Sequence, residues 1–219
     1  MRFKLSGSIP AALCAVAILV PALFSPAVAA SQEQGSTETA VLAGGCFWGM
    51  EAVFENIAGV REVVAGFAGG NKLTAHYDLV STGTTGHAES VRIVFDPRRV
   101  SYTTLLRVFF NVAHDPTELN RQGPDDGTQY RSAVFFASDA QRSEALAYIR
   151  QLTAQRVYAA PIVTQVVPLE GFYPAEAYHQ HFAQLHPDNP YIVENDAPKV
   201  ALLRSRFPSL VNQSLVKQN

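Results

Sequence analysis

The stretch TAVLAGGCFWGMEAVFENI, residues 39–57, decides how the chain begins to fold. Its first part is a short apolar run closed by two glycines, the pattern of a buried strand that must turn sharply. After Cys46, the positions Phe47, Met50, Val53, Phe54 and Ile57 recur at helical spacing, with Glu51 and Glu55 off that face. A strand, a glycine hinge and a helix therefore follow one another with no linker. The only tryptophan of the chain, Trp48, and one of its two cysteines sit at the junction.

The same reading extends outward. VREVVAGFAGG (60–70) is a strand followed by a glycine turn, and ESVRIVFDP (89–97) alternates as a half-buried strand does. Ser101 caps a helix whose Tyr102, Leu105, Leu106, Phe109, Phe110 and Ala113 share one face. SAVFFAS (132–138) is a further strand, and Ser138 with Gln141 makes a capping box for a helix to about residue 156. PIVTQVVPL (161–169) reads as a strand and residues 174–186 as a helix. Residues 187–219 carry four prolines and read as an extended tail with a short helix near 198–206. The alternating strands favour an α+β fold, a two-layer α/β sandwich with a ferredoxin-like core and an extended C-terminal tail, over a parallel doubly wound sheet.

At 219 residues, with 47% hydrophobic and 16% charged side chains, the chain suits one globular domain. A net charge of −2 offers no basic stripe for nucleic acid. Residues 1–30 have Arg2 and Lys4, an apolar run and a small-residue site, Ala27-Val28-Ala29, which is the build of a cleaved secretory signal. Residues 31–38 follow as a disordered polar lead-in, 39–195 as the main folded domain and 196–219 as the tail. An exported, periplasmic or secreted protein without stable membrane association is the expectation, with a monomer as the default. Cleavage removes Cys14 and leaves Cys46 as the only thiol, and an odd cysteine in an exported chain suggests a reactive one.

A thiol attacks as thiolate, and the start of a helix favours an anion, so Cys46 is expected to have a lowered pKa. Phe47 and Trp48 would wall the sulfur with apolar surface. His87, His114, His179 and His181, with Asp115 or Asp125 as orienter, would alternatively suit a Cys–His hydrolase. A non-catalytic binding module is the third possibility. No HExxH or CxxC spacing suggests a metal site.

GGCFWGMEAVFE resembles the active-site signature of the A-type peptide methionine sulfoxide reductases. The similarity continues through GHAESVRIVFDP (86–97), FFNVAHDPT (109–117), GPDDGTQYRSAVF (123–135) and FYPAEAYHQHF (172–182). The resemblance implies that Cys46 attacks the sulfoxide sulfur and becomes a sulfenic acid, and that Phe47 and Trp48 hold the substrate's ε-methyl group. It also implies that Glu89 binds and protonates the sulfoxide oxygen, that Tyr77 and Tyr130 hydrogen-bond that oxygen, and that Asp125 helps organise the site. It further implies the S epimer, oxidised proteins and peptides as substrates, and no cofactor. Many members carry a second, resolving cysteine near the C-terminus. Residues 187–219 have none, so an external thiol is expected to reduce Cys46: a thioredoxin-like or glutaredoxin-like protein, or a small thiol.

Overall fold

The structure, a computed structural model, describes residues 36–212 together with Met1, Phe3 and Gly7. The signal-peptide reading and the last seven residues of the tail thus fall outside the described residues, apart from those three. The chain divides into Met1–Gln34 and Gly35–Asn219, and the fold below is that of the second unit.

Strand β1 (Glu38–Ala43) leads through the glycine pair into α1 (Phe47–Glu55), and β2 (Val60–Ala68) follows. A short α2 (Tyr77–Val80), β3 (Ala88–Phe95) and α3 (Tyr102–Val108) come next, α3 running on into a π turn at Phe109–Ala113. A two-residue ribbon, β4 (Arg121–Gln122) with β5 (Asp125–Asp126), precedes β6 (Ala133–Phe136), α4 (Asp139–Ala154), β7 (Gln165–Pro168) and β8 (Phe172–Pro174). The chain closes with α5 (Phe182–Leu185), a π turn at Ile192–Asp196 and α6 (Ala197–Arg206).

Six strands form one sheet in the order β7-β6-β1-β3-β2-β8. Every neighbouring pair is antiparallel except β6 and β7, which α4 joins as a parallel crossover. The inner order β6-β1-β3-β2, with β3 lying between the two strands that α1 connects, is the ferredoxin-like arrangement expected from the sequence. The parallel pair at the edge is the one element of the doubly wound alternative that appears.

The pleat explains the layers. On β1, Ala40 and Leu42 join the main core with Phe47, Met50, Phe54, Leu105 and Phe109 from the helices. Val41 and Ala43 point the other way, into a small cluster with Ala68, Ala88, Ala133 and Phe135 that Val167, Leu169 and Phe172 cover. On β3 the same alternation puts Val91, Ile93 and Phe95 on the helix side, and so places Glu89 on that side as well. Each fully buried Phe or Leu in this core contributes about 2 kcal/mol through the area it removes from water.

The caps follow the sequence, with one shift. Ser101 Oγ accepts from Thr104 N–H at 3.1 Å, and Ser138 Oγ accepts from Gln141 N–H at 3.2 Å. Gln141 does not return the bond to Ser138. Its Oε1 takes Ala137 N–H at 2.9 Å and its Nε2 donates to Thr39 O at 2.8 Å, tying α4 to the start of β1. Among the described residues no helix is long and apolar enough to cross a membrane.

One expectation fails, for an identifiable reason. Residues 174–186 are not one helix: Phe172–Pro174 pairs with β2, Ala177–His179 is a single 3₁₀ turn, and His181 takes a left-handed φ of +54° before α5. Gln180 breaks the helix. Its Oε1 accepts Ala65 N–H at 2.9 Å and its Nε2 donates to Ala65 O and Ala175 O at 3.0 Å, so one side-chain amide stands in for a strand partner on β2. The short helix expected near 198–206 is α6, and the tail departs from an extended chain ahead of it, in the π turn at Ile192–Asp196. Pro198 sits in the first turn of α6, where a missing N–H costs nothing. Ile192 and Leu203 are buried, and Val211 bridges to Ile57.

Candidate active site

Cys46 is the N-cap residue of α1, with φ −52° and ψ 126°. Gly45 before it has φ +91°, and a Cβ there would lie 2.5 Å from the Gln122 side chain. Only glycine permits that bend and that approach. The turn delivers the sulfur to the end of the sheet beside Glu89, with 8% of the residue exposed.

The electrostatics reverse the expectation from helix position. Burial pushes the Cys46 thiol well above its ordinary value, and the carboxyls of Glu89 and Asp196 push the same way. A backbone hydrogen bond from Trp48 opposes them, and Asp125 adds a smaller upward push. The helix start therefore offers one N–H against desolvation and three acids, and the resting thiol keeps its proton.

Glu89 is 2% exposed, and its Oε2 accepts Phe47 N–H, the first amide of α1, at 3.0 Å. Burial dominates that bond and raises its pKa from 4.5 to about 8, with Asp125 and Asp196 adding to the rise. At neutral pH it is a protonated acid next to the thiol. Tyr77, the first residue of α2, lies in the same electrostatic field. Its phenol is pushed up to about 12, by burial first and then by Glu89 and Cys46. Tyr130, at the end of a 3₁₀ turn, is raised by burial, Glu89, Tyr77, Asp125 and Cys46. The fold thus brings Cys46, Glu89, Tyr77, Tyr130 and Asp125 together from four separate stretches of chain, and the phenols stay protonated donors.

The aromatic wall is wider than Phe47 and Trp48. Phe47 is fully buried, 5.0 Å from the His179 ring and 6.4 Å from Tyr77. Trp48 is half-buried, stacks on Phe182 at 3.8 Å and meets Tyr191 edge-on at 5.9 Å. Its Nε1–H donates to His179 Nδ1 at 3.2 Å, which fixes both the indole and the imidazole tautomer.

Three contributors were not legible beforehand. Tyr191 donates a short hydrogen bond from its hydroxyl to Asp125 Oδ2. Asp196 is wholly buried behind α1, its carboxyl raised by burial, and it pairs with Lys199 Nζ at 3.1 Å. All three come from the tail segment, where no spacing signals chemistry. A Cβ on Gly49 would lie 2.1 Å from Asp196 Oδ1, so that glycine is a sequence mark of the close approach.

The histidines are otherwise engaged. His87 Nε2 meets Asn71 O at 2.9 Å, and His114 is held between Phe109 O at 2.9 Å and Ser132 Oγ at 2.7 Å. His181 Nδ1 meets Glu55 Oε1 at 2.5 Å. None of the four makes a hydrogen bond to Cys46 among the described residues, so the Cys–His pair that a hydrolase needs is not assembled. A cleft of about 1210 Å³ lies behind α1, lined by Glu55, Gln180, His181 and Arg204 among others, and not over Cys46. The thiol, acid and phenols mark the candidate active site, whatever the size of the cleft.

Known proteins resemble this chain in sequence and in fold. The sequence profile of the family described as peptide methionine sulfoxide reductase matches residues 38–209. The chain is similar to peptide methionine sulfoxide reductase MsrA 2 of Mesorhizobium japonicum, 54% identical over 180 residues, which are 82% of this chain and 92% of that one. It is 51% identical to the MsrA 2 of Synechocystis over 171 residues, 78% of this chain and 80% of that one. The fold is similar to reduced Mxr1 of Saccharomyces cerevisiae, with a TM-score of 0.67 and 32% identity over 72% of this chain and 90% of that one. It is also similar to methionine sulfoxide reductase A of Corynebacterium diphtheriae, with a TM-score of 0.62 and 35% identity over 72% of this chain and 78% of that one.

Proposed function

The chain belongs to the peptide methionine sulfoxide reductase family and reduces methionine sulfoxide to methionine, and on that basis we propose which of its residues perform each step. Cys46 Sγ attacks the sulfoxide sulfur while the protonated Glu89 carboxyl gives its proton to the oxygen. Tyr77 and Tyr130 donate hydrogen bonds to the same oxygen, and these strengthen as charge develops on it. The oxygen passes to Sγ, methionine leaves, and Cys46 becomes a sulfenic acid. The methionine sulfur gains the two electrons that the cysteine sulfur loses, and the thiol proton replaces the one Glu89 gave away. Phe47 and Trp48 enclose the methyl group, and Asp125 is held toward the site by Tyr191. The observation that carries this assignment is Glu89: a buried acid beside the thiol, raised to about 8, is still protonated when it is needed.

Cys46 is the only free cysteine among the described residues, and no cysteine follows it in the sequence. An external thiol therefore completes the cycle. Two thiol equivalents return Cys46 to the thiol, releasing water and a disulfide, with a thioredoxin-like or glutaredoxin-like protein or a small thiol as donor and no cofactor. The substrates are oxidised proteins and peptides carrying the S epimer, as the resemblance implies. Residues 1–30 act as a leader, cleaved near Ala30, that exports the enzyme to the periplasm or medium as a monomer.

One experiment tests the core of this reading. Mature protein incubated with methionine S-sulfoxide and no reductant should release about one equivalent of methionine per chain and form one sulfenic acid. Cys46→Ser should do neither. Multiple turnovers without added thiol would refute the one-cysteine cycle, and release of methionine by Cys46→Ser would refute the nucleophile. An intact mass on exported protein that still includes residues 1–30 would refute the leader.

A further inference from the structure

A second cluster lies outside this machinery, further along α1 from Cys46. Glu51 and Glu55 are four residues apart and share one helix face. His181 comes to them with its left-handed backbone, its N–H donating to Glu51 Oε2 at 2.7 Å. Glu51 Oε1, Glu55 Oε1 and His181 Nδ1 all lie within 4.8 Å of one another. His181 Nδ1 is 2.5 Å from Glu55 Oε1 and 3.9 Å from Glu51 Oε1.

The second observation concerns Glu51 itself. The residue is 1% exposed, and its Oε1 has no hydrogen-bond partner. A buried carboxylate oxygen with nothing to accept from is costly, yet its sister oxygen is pinned by the His181 amide, so Oε1 is held pointing at the other two groups. The cluster also has access. Glu55 and His181 line the cleft of about 1210 Å³ between α1, β2 and α6, and His181 is half-exposed.

We propose that Glu51, Glu55 and His181 form a three-ligand site for a divalent transition ion of the zinc type, open on its fourth side to the cleft. Two carboxylates and one imidazole suit such an ion, whose bonds to them are about 2.0–2.2 Å long. Calcium or magnesium would want oxygen ligands in greater number than three side chains supply. Parting Glu55 Oε1 and His181 Nδ1 by roughly one ångström would give the ligand separation that tetrahedral bonds of this length require. The ion would satisfy Glu51 Oε1 and offset the two acids. It would also clamp the Gln180–Phe182 segment onto α1, and that segment carries the ring on which Trp48 stacks. The site thus lies behind the aromatic wall without touching the thiol.

The test uses the untagged full-length chain carrying Cys14→Ser and Cys46→Ser, which removes both thiols as competing ligands. Equilibrium dialysis against Zn²⁺ should retain one equivalent per chain in the presence of excess Mg²⁺, and Zn²⁺ should shift the fluorescence of Trp48, the only tryptophan. Glu55→Gln and His181→Ala, both outside the core and safe for folding, should each weaken retention roughly tenfold or more. No saturable Zn²⁺ retention would overturn the proposal. Retention unchanged in both variants would overturn it too, because the ion would then sit elsewhere.

Discussion

Replacing Glu89 by glutamine should push activity and stability in opposite directions. Glutamine has the same shape, and its carbonyl oxygen can still accept Phe47 N–H, but it has no proton to give. Removing a positioned general acid costs about 10²–10⁴-fold, so single-turnover methionine release at pH 7 should slow by that factor with little change in substrate affinity. The stability effect follows from linkage. In the unfolded chain Glu89 loses its proton near 4.5, and in the native protein it keeps it until about 8. Between those values the native state binds the extra proton, so this group's stabilising contribution is fully present below about 4.5 and is lost as pH rises to about 8. At about 1.4 kcal/mol for each tenfold step, the loss across that window is of the order of 5 kcal/mol. The substituted glutamine titrates nowhere in it, whereas the other ionisable groups are common to both proteins. Urea denaturation of each at pH 4.5 and pH 8 should therefore show the variant gaining several kcal/mol relative to the parent at the higher pH. The parent's own single-turnover rate should fall as pH rises through about 8. A variant within about threefold of the parent rate would remove Glu89 from the acid role. A stability difference that does not change with pH would refute its burial as a neutral acid.

Asp196→Asn removes one of the charges that raise Cys46, so alkylation of Cys46 by iodoacetamide should become several-fold faster near pH 8; an unchanged rate would mean that Asp196 does not act on the thiol. Trp48→Ala loses the stack on Phe182 and the bond to His179, and steady-state kinetics should show kcat/KM down roughly 10–100-fold, mostly through KM. A fall confined to kcat would argue against the methyl-pocket role. Gly49→Ala should gain about 1 kcal/mol of helix propensity but drive a Cβ into Asp196 Oδ1. A net loss of about 1–3 kcal/mol in urea denaturation is expected, and a stabilised protein would show that α6 can shift away from α1 at no cost.

Much of the frame was legible because its causes are local. The hinge at Gly44–Gly45 is a backbone requirement, the caps at Ser101 and Ser138 are side-chain bonds over three residues, and the two-residue alternation of β3 places Glu89 on the helix side. What escaped depends on distant partners. Nothing near residue 180 announces that the Gln180 amide will fill a position on β2, and so the run 174–186 reads as a helix that the fold breaks. Tyr191, Asp196 and Lys199 carry no motif of their own, and only packing of the tail against α1 brings them to the site. The thiol was misread for a related reason. A helix N-terminus is visible in sequence, whereas the desolvation that outweighs it is a property of the assembled core.

That misreading changes how the site works. Three carboxyls surround one sulfur, an arrangement hostile to a standing thiolate but well suited to storing protons. With Glu89 neutral at pH 7, the acid that acts most strongly on the thiol bears no charge against it, and the phenols of Tyr77 and Tyr130 stay protonated. The groups in place stabilise negative charge on an oxygen near Glu89 and the phenols, which is where a sulfoxide oxygen gathers it during attack. In the proposed cycle, once Glu89 has given its proton, the carboxylate left behind is a base beside a thiol that must lose one. Proton delivery to the oxygen and proton removal from the sulfur then draw on the same side chain. Cys46 needs no low resting pKa under that coupling, and a thiol that stays protonated until substrate arrives is also less exposed to indiscriminate oxidation.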